Sequence, residues 1–140
     1  IAKALRDNRL KVGIAQHGIT GTPRELINLH FPKGDIIKGN VGTFWQDVVF
    51  STLKVFEPAL YKEIQDWTLE KYRPANPGKK DKQIFDGNCK NAIKEFFKDL
   101  YSLPEDTEEA ISAMAYAESL VFFRAFSSAG TASVVVKNLR

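Results

Sequence analysis

Lys11-Val12-Gly13-Ile14-Ala15-Gln16-His17-Gly18-Ile19-Thr20-Gly21-Thr22-Pro23-Arg24-Glu25 reads as a strand, a glycine-bearing turn and the start of a helix. The apolar run up to Gln16 suits a short strand, and His17 stands where that strand ends. Thr22 offers a capping hydroxyl, Pro23 suits the first helical position, and Glu25 can reach back to the cap. The helix continues through Leu26, Ile27 and Leu29 to about His30, where Pro32-Lys33-Gly34 stops it. Asp35-Ile36-Ile37-Lys38-Gly39-Asn40-Val41 follows as a second strand. Two strands joined by one short helix make a right-handed βαβ unit with parallel strands, so the class read here is α/β. Alternation along the second strand sets Lys38 and Asn40 on one face and Ile37, Gly39 and Val41 on the other.

On the N-terminal side, residues 2–8 read as the end of a helix stopped by Asp7-Asn8. On the C-terminal side the spacing turns helical: Phe44, Val48, Leu53 and Phe56 share a face, Pro58 permits a new start, and Leu60, Ile64, Trp67 and Tyr72 continue it. Residues 73–82 are a loop rich in proline, glycine and lysine. A helix over about 88–101 is expected to bury Ala92, Ile93, Phe96, Phe97 and Leu100. Another opens at Leu103-Pro104-Glu105-Asp106 with its acids in the first turn and carries Met114, Leu120, Val121, Phe122 and Phe126. A short helix over 131–139 ends the chain. The organisation expected is residues 1–57 as strand–helix units bearing the site and residues 58–140 as a helical extension of one continuous structure. Two strands cannot close a barrel, so either further strands precede them or two copies associate through the apolar helices.

With 140 residues, 44% hydrophobic and 26% charged, the chain has the proportions of a globular domain. The net charge of +3 is spread among acids without a basic stripe, which argues against nucleic acid. Cys89 is the only cysteine, so an internal disulfide and a cysteine-built metal site are both excluded. No apolar run approaches the roughly 20 residues of a membrane span, and no signal peptide is visible. The expectation is a cytoplasmic protein with no membrane partner. The chain opens at Ile1 and runs at once into Leu5, Leu10 and Val12, as the interior of a longer protein would.

The candidate chemistry lies at the strand ends. Backbone N–H groups point outward where a strand passes into a helix, and the helix dipole favours negative charge there. Gly18 and Gly21 let an anion approach the backbone, and Thr20 adds a hydroxyl donor. Asn40-Val41-Gly42-Thr43 supplies an amide, a hydroxyl and further N–H groups after the next strand, so a phosphate shared between the two turns is the favoured ligand.

His17-Gly18-Ile19-Thr20-Gly21 resembles the His-Gly-x-Ser/Thr-Gly segment of class II, metal-dependent ketose-bisphosphate aldolases. Lys38-Gly39-Asn40-Val41-Gly42-Thr43 is similar to the Lys-x-Asn-Val/Ile-x-Thr segment that follows in that family after one short helix. The likeness covers about the first fifty residues. It implies the C-terminal portion of a (β/α)8 TIM barrel, its last two parallel strands, followed by a mostly α-helical extension. It implies that His17 is one of three histidines holding a divalent metal, usually zinc. It also implies that Gly18, Ile19, Thr20, Asn40, Val41, Gly42 and Thr43 grip the phosphate of dihydroxyacetone phosphate. The activity implied is reversible aldol cleavage of a ketose bisphosphate, with fructose 1,6-bisphosphate expected, and homo-oligomers formed through the C-terminal helices. Phe44 stands where many members have an acid, and Gly42 where Ala or Asp is frequent, which leaves substrate choice open. The family's acid–histidine pair and second metal histidine have no counterpart here, so no catalytic residue is assigned and the chain alone is expected to be inactive.

Plainer readings stand beside these. Asn40 and Thr43 can simply cap the next helix, and Lys38 can face solvent as readily as a site. His30, about 10 Å along its helix from His17, reads as a surface residue rather than a ligand. Cys89 reads as a small helix residue, and Phe96-Phe97 and Phe122-Phe123 as core or interface. A non-catalytic phosphate-sugar binding or oligomerisation module is the alternative function.

Overall fold

A computed structural model describes residues 1–31 and 35–139. Pro32, Lys33 and Gly34, read above as the helix stop, Arg140 and the His30 side chain lie outside the described residues. Two compact units divide the chain: Ile1–Trp45 with Ala115–Arg140, and Gln46–Met114.

The first unit begins with α1 (Ala2–Asp7), which Asn8 ends as expected, its amide donating to the Ala4 carbonyl at 2.8 Å. Strand β1 is Ile14–Gln16, helix α2 is Arg24–His30 and strand β2 is Ile36–Gly39. The strands pair in parallel, Ile14 with Ile36, Ala15 with Lys38 and Gln16 with Gly39. An irregularity between Ile14 and Ala15 leaves Ile37 unmatched. The ladder is extended by Ile14 N–H donating to the Asp35 carbonyl at 2.8 Å and Asn40 N–H donating to the Gln16 carbonyl at 3.0 Å. Lys11 to Gly13 find no partner on the described part of β2 and remain coil, so β1 is shorter than its apolar pattern suggests. Helix α2 also starts a residue late: Pro23 is its cap residue, with extended ψ of 133°, and no side chain caps it, so the Thr22–Glu25 capping pattern does not form.

This unit also holds the first residues of α3 (Thr43–Phe56), the second half of α8 (Glu105–Ala125) and α9 (Ala132–Asn138). Its core is Ile19, Ile27 and Phe122, closed by Phe31, Val41, Phe44, Trp45, Ala125 and Phe126. The Arg24 guanidinium lies 4.2 Å from the Phe44 ring centroid and 4.9 Å from that of Phe122, with Nη2 3.1 Å from Glu118 Oε2. Of the apolar residues assigned to the long helix, only Phe122 becomes buried; Met114, Leu120 and Val121 remain more than 40% exposed.

The second unit packs the rest of α3 with α4 (Pro58–Tyr72), α5 (Asp81–Asn88), α6 (Ala92–Glu95) and α7 (Phe97–Leu100). Pro58 starts α4 as its sequence suggests, because a first-turn residue needs no N–H partner. Buried Thr107 donates to Glu57 Oε1 at 2.9 Å, tying the start of α8 to the α3–α4 junction. The core is Phe50, Leu53, Ile64, Phe85, Cys89 and Ala92. The helix expected over 88–101 is broken into a 3-10 turn, Cys89–Asn91, and the short α6 and α7. At Phe96, φ −96° and ψ 26° interrupt the helix. Phe96 and Leu100 then pack inward, while Ile93 and Phe97 are 43% and 53% exposed.

The expected end of a (β/α)8 barrel is not what the chain builds. The structure is 67% helical with two short parallel strands, a small helical fold. Barrel closure needs a continuous ring of tilted strands. Among the described residues strand pairing ends at Gly39, and from Thr43 onward the apolar residues recur at helical spacing. No described helix is long and apolar enough to cross a membrane.

Candidate phosphate and metal site

Parallel pairing brings the C-terminal ends of β1 and β2 side by side, so the two turns singled out in the sequence become neighbours. Gly18 follows His17 with φ 74°, a left-handed conformation that costs an L side chain roughly 1–2 kcal/mol and that glycine adopts freely. That reversal leads into a 3-10 turn, Ile19–Gly21, and turns the chain toward α2. On the other strand, Asn40 to Gly42 pass directly into α3, with Trp45 N–H donating to the Gly42 carbonyl at 3.2 Å.

His17 is exposed, and the Asn40 side-chain nitrogen Nδ2 lies 3.1 Å from its Nδ1 and 3.2 Å from its Nε2. The Asn40 amide donates to whichever ring nitrogen carries no proton and so restrains the imidazole. Gln16 donates through Nε2 to the His17 carbonyl at 2.7 Å, which steadies the same turn. Residues far apart in sequence thus meet through side chains at the two strand ends.

The other candidate residues divide by what they can offer. The Ile19 side chain is fully buried in the core and Val41 packs against it, so each can present only its backbone to a ligand. Gly42 and Thr43 are exposed, and Thr20 is half-buried. A Cβ added at Gly18, Gly21 or Gly42 would meet nothing within 4 Å, so the backbone there is open to an approaching group. Gly39 differs: its added Cβ would stand 2.7 Å from Ile19 Cδ1 and 3.2 Å from Phe126 Cζ. Lys38 is exposed. Helix α2 has only seven residues, whereas α3 has fourteen, so α3 contributes the stronger dipole.

A catalytic zinc takes three protein ligands and a structural one takes four. Among the described residues no group of three His, Cys, Asp or Glu side chains converges. Around His17 the donors are one imidazole and the amides of Gln16 and Asn40. These residues by themselves do not fit a divalent metal.

The periodicity of the second strand set Asn40 on one face with Lys38, but its contact with His17 could not be read from spacing. The signal for it was the parallel pairing of two strand ends that each carry a polar residue. No protein-family model, curated protein or solved structure matches this chain.

Proposed function

We propose that the paired strand-end turns grip the phosphate of a phosphorylated ketose such as dihydroxyacetone phosphate, as part of a metal-dependent aldolase acting on a ketose bisphosphate. On this reading Gly18, Ile19 and Thr20, with Asn40, Val41, Gly42 and Thr43, bind phosphate, and His17 contributes one ligand to a divalent ion, zinc being expected. The other metal ligands and the acid–base group come from outside the described residues. The observation that carries the reading is the approach of Asn40 to His17, 23 residues apart in sequence, beside glycine turns with open backbone. Family resemblance supplies the aldol chemistry; the local contribution is to hold phosphate and orient the imidazole.

A 1H–15N NMR titration with dihydroxyacetone phosphate tests the grip. Amide shifts centred on Gly18 to Thr20 and Asn40 to Thr43 are expected, with Asn40→Ala weakening binding about tenfold, the scale of one hydrogen bond to a charged group. Shifts elsewhere, or none at millimolar ligand, refute it. Aldol cleavage of fructose 1,6-bisphosphate by the natural gene product, with and without His17→Ala, tests the chemistry; undiminished activity removes His17 from it. The second reading, a non-catalytic phosphate-sugar or oligomerisation module, is favoured by exposed Leu120, Val121 and Phe123 on α8. Phosphate binding with no cleavage by the natural product selects it.

A further inference from the structure

The second unit contains a cavity of about 460 Å3 between α3, α4 and α5, lined by none of the strand-end site's residues. Asp47 and Lys54 line it from α3, Tyr61 and Gln65 from α4, and Lys82 and Asp86 from α5. Each pair is one or two turns apart on its helix and therefore shares a face. Aromatic rings form the floor: Phe50 and Phe85 are 5% and 6% exposed and meet edge to face at 5.7 Å, and Tyr61 meets Phe85 at 5.6 Å.

Two of the protein's own ammonium groups already use this lining. Lys82 Nζ donates to Asp86 Oδ2 at 2.5 Å, and Lys54 Nζ lies 5.8 Å from the Tyr61 ring centroid. The Asp47 carboxylate makes no ion pair at contact distance among the described residues, although the Lys82 charge acts on it from the same lining. Burial, then the Asp86 charge, push the Asp47 carboxyl and the Tyr61 hydroxyl up; burial, then Asp47, push the Cys89 thiol up. Burial leads all three shifts and penalises charge of either sign; the Asp47 and Asp86 charges add a bias against further negative charge, which Lys82 offsets in part. A cation carrying an alkyl body meets a carboxylate without a contact ion pair, electron-rich ring faces and an apolar floor. The volume lies within the range of roughly 300–1,000 Å3 found for small-molecule sites.

We propose that the cavity between α3, α4 and α5 binds a small aliphatic ammonium ligand, its cationic head on Asp47 and its alkyl body against Phe50 and Phe85. Lys82 is a built-in competitor that neutralises the second carboxylate while the ligand is absent. The test is calorimetry and 1H–15N NMR on the full chain with n-butylammonium chloride, with sodium butyrate as the matched anion. Butylammonium is expected to shift amides around Asp47, Tyr61 and Asp86, and butyrate is not. Asp47→Asn weakens binding about tenfold, the scale of a charge-assisted hydrogen bond. Lys82→Met tightens it about two- to fivefold, the scale of an exposed ion pair removed as competitor. Butyrate binding as tightly, an unaffected Asp47→Asn variant, or no butylammonium binding at millimolar concentration overturns the proposal.

Discussion

Gly39→Ala adds one methyl group to the end of β2, and the structure states what that methyl meets. The new Cβ would lie 2.7 Å from Ile19 Cδ1 and 3.2 Å from Phe126 Cζ, well inside ordinary carbon–carbon contact. Ile19 is fully buried and packs with Ile27 and Phe122, so its δ1 carbon can move only by disturbing the core of the first unit. Overpacking of this kind costs about 1–3 kcal/mol. Lower entropy of the unfolded chain returns about 0.4–1 kcal/mol, leaving a net loss of about 1–2 kcal/mol. Two neighbouring glycines supply the comparison. At Gly42 an added Cβ meets nothing within 4 Å, so Gly42→Ala should be neutral or stabilising by up to about 1 kcal/mol. At Gly18 there is space but φ is 74°, so Gly18→Ala should cost about 1 kcal/mol through the backbone alone. Urea unfolding followed by far-ultraviolet circular dichroism measures all three. With a typical slope of about 1–3 kcal/mol per molar urea, Gly39→Ala should lower the midpoint by about 0.5–1 M. A Gly39→Ala midpoint at or above that of Gly42→Ala would refute the close approach of Ile19 to β2.

Arg24→Lys replaces a planar guanidinium stacked on Phe44 and Phe122 by a compact ammonium, and should lower stability by about 1 kcal/mol in the same urea assay. Thr107→Val keeps the shape of a buried side chain but removes its hydrogen bond to Glu57; a loss of about 1–2 kcal/mol is expected, and an unchanged midpoint would show that the bond contributes nothing. The buried Cys89 thiol is pushed up from 9.0, so the folded state keeps a proton that the unfolded chain releases. Its contribution to stability is therefore full below pH 9.0 and is lost as pH rises through the folded value; urea midpoints from pH 8 to 10.5 should fall less in Cys89→Ala than in the parent.

The order strand, turn, helix, strand was legible because each element carries a local signal: an apolar run before His17, glycines in the turn and an apolar run before Asn40. Pro58 located α4, and Asp7-Asn8 located the end of α1, for equally local reasons. What failed was non-local or imported. The barrel came with a family resemblance, while the described residues supply only two strands. The continuous helix over 88–101 failed because periodicity treats 3.6 residues per turn as unbroken, and the backbone at Phe96 departs from it. The lining of the α3–α4–α5 cavity left no motif, because its polar residues, Ser51 among them, come from three helices and share only a pattern of one- and two-turn spacings. For the strand-end site, which residues are polar could be read, but which of them touch depended on register.

The packing around Phe96 sets two adjacent codons under opposite constraints. Phe96 meets Trp67 edge to face at 6.1 Å, inside the second unit, while Phe97 stacks on Tyr101 at 4.8 Å with more than half its surface in water. A library randomised at both positions should therefore return almost only large apolar residues at 96 and a broad, largely polar set at 97. Such a one-residue alternation of tolerance would mark the edge of the face that carries Ala92, Phe96 and Leu100 into the core of the second unit.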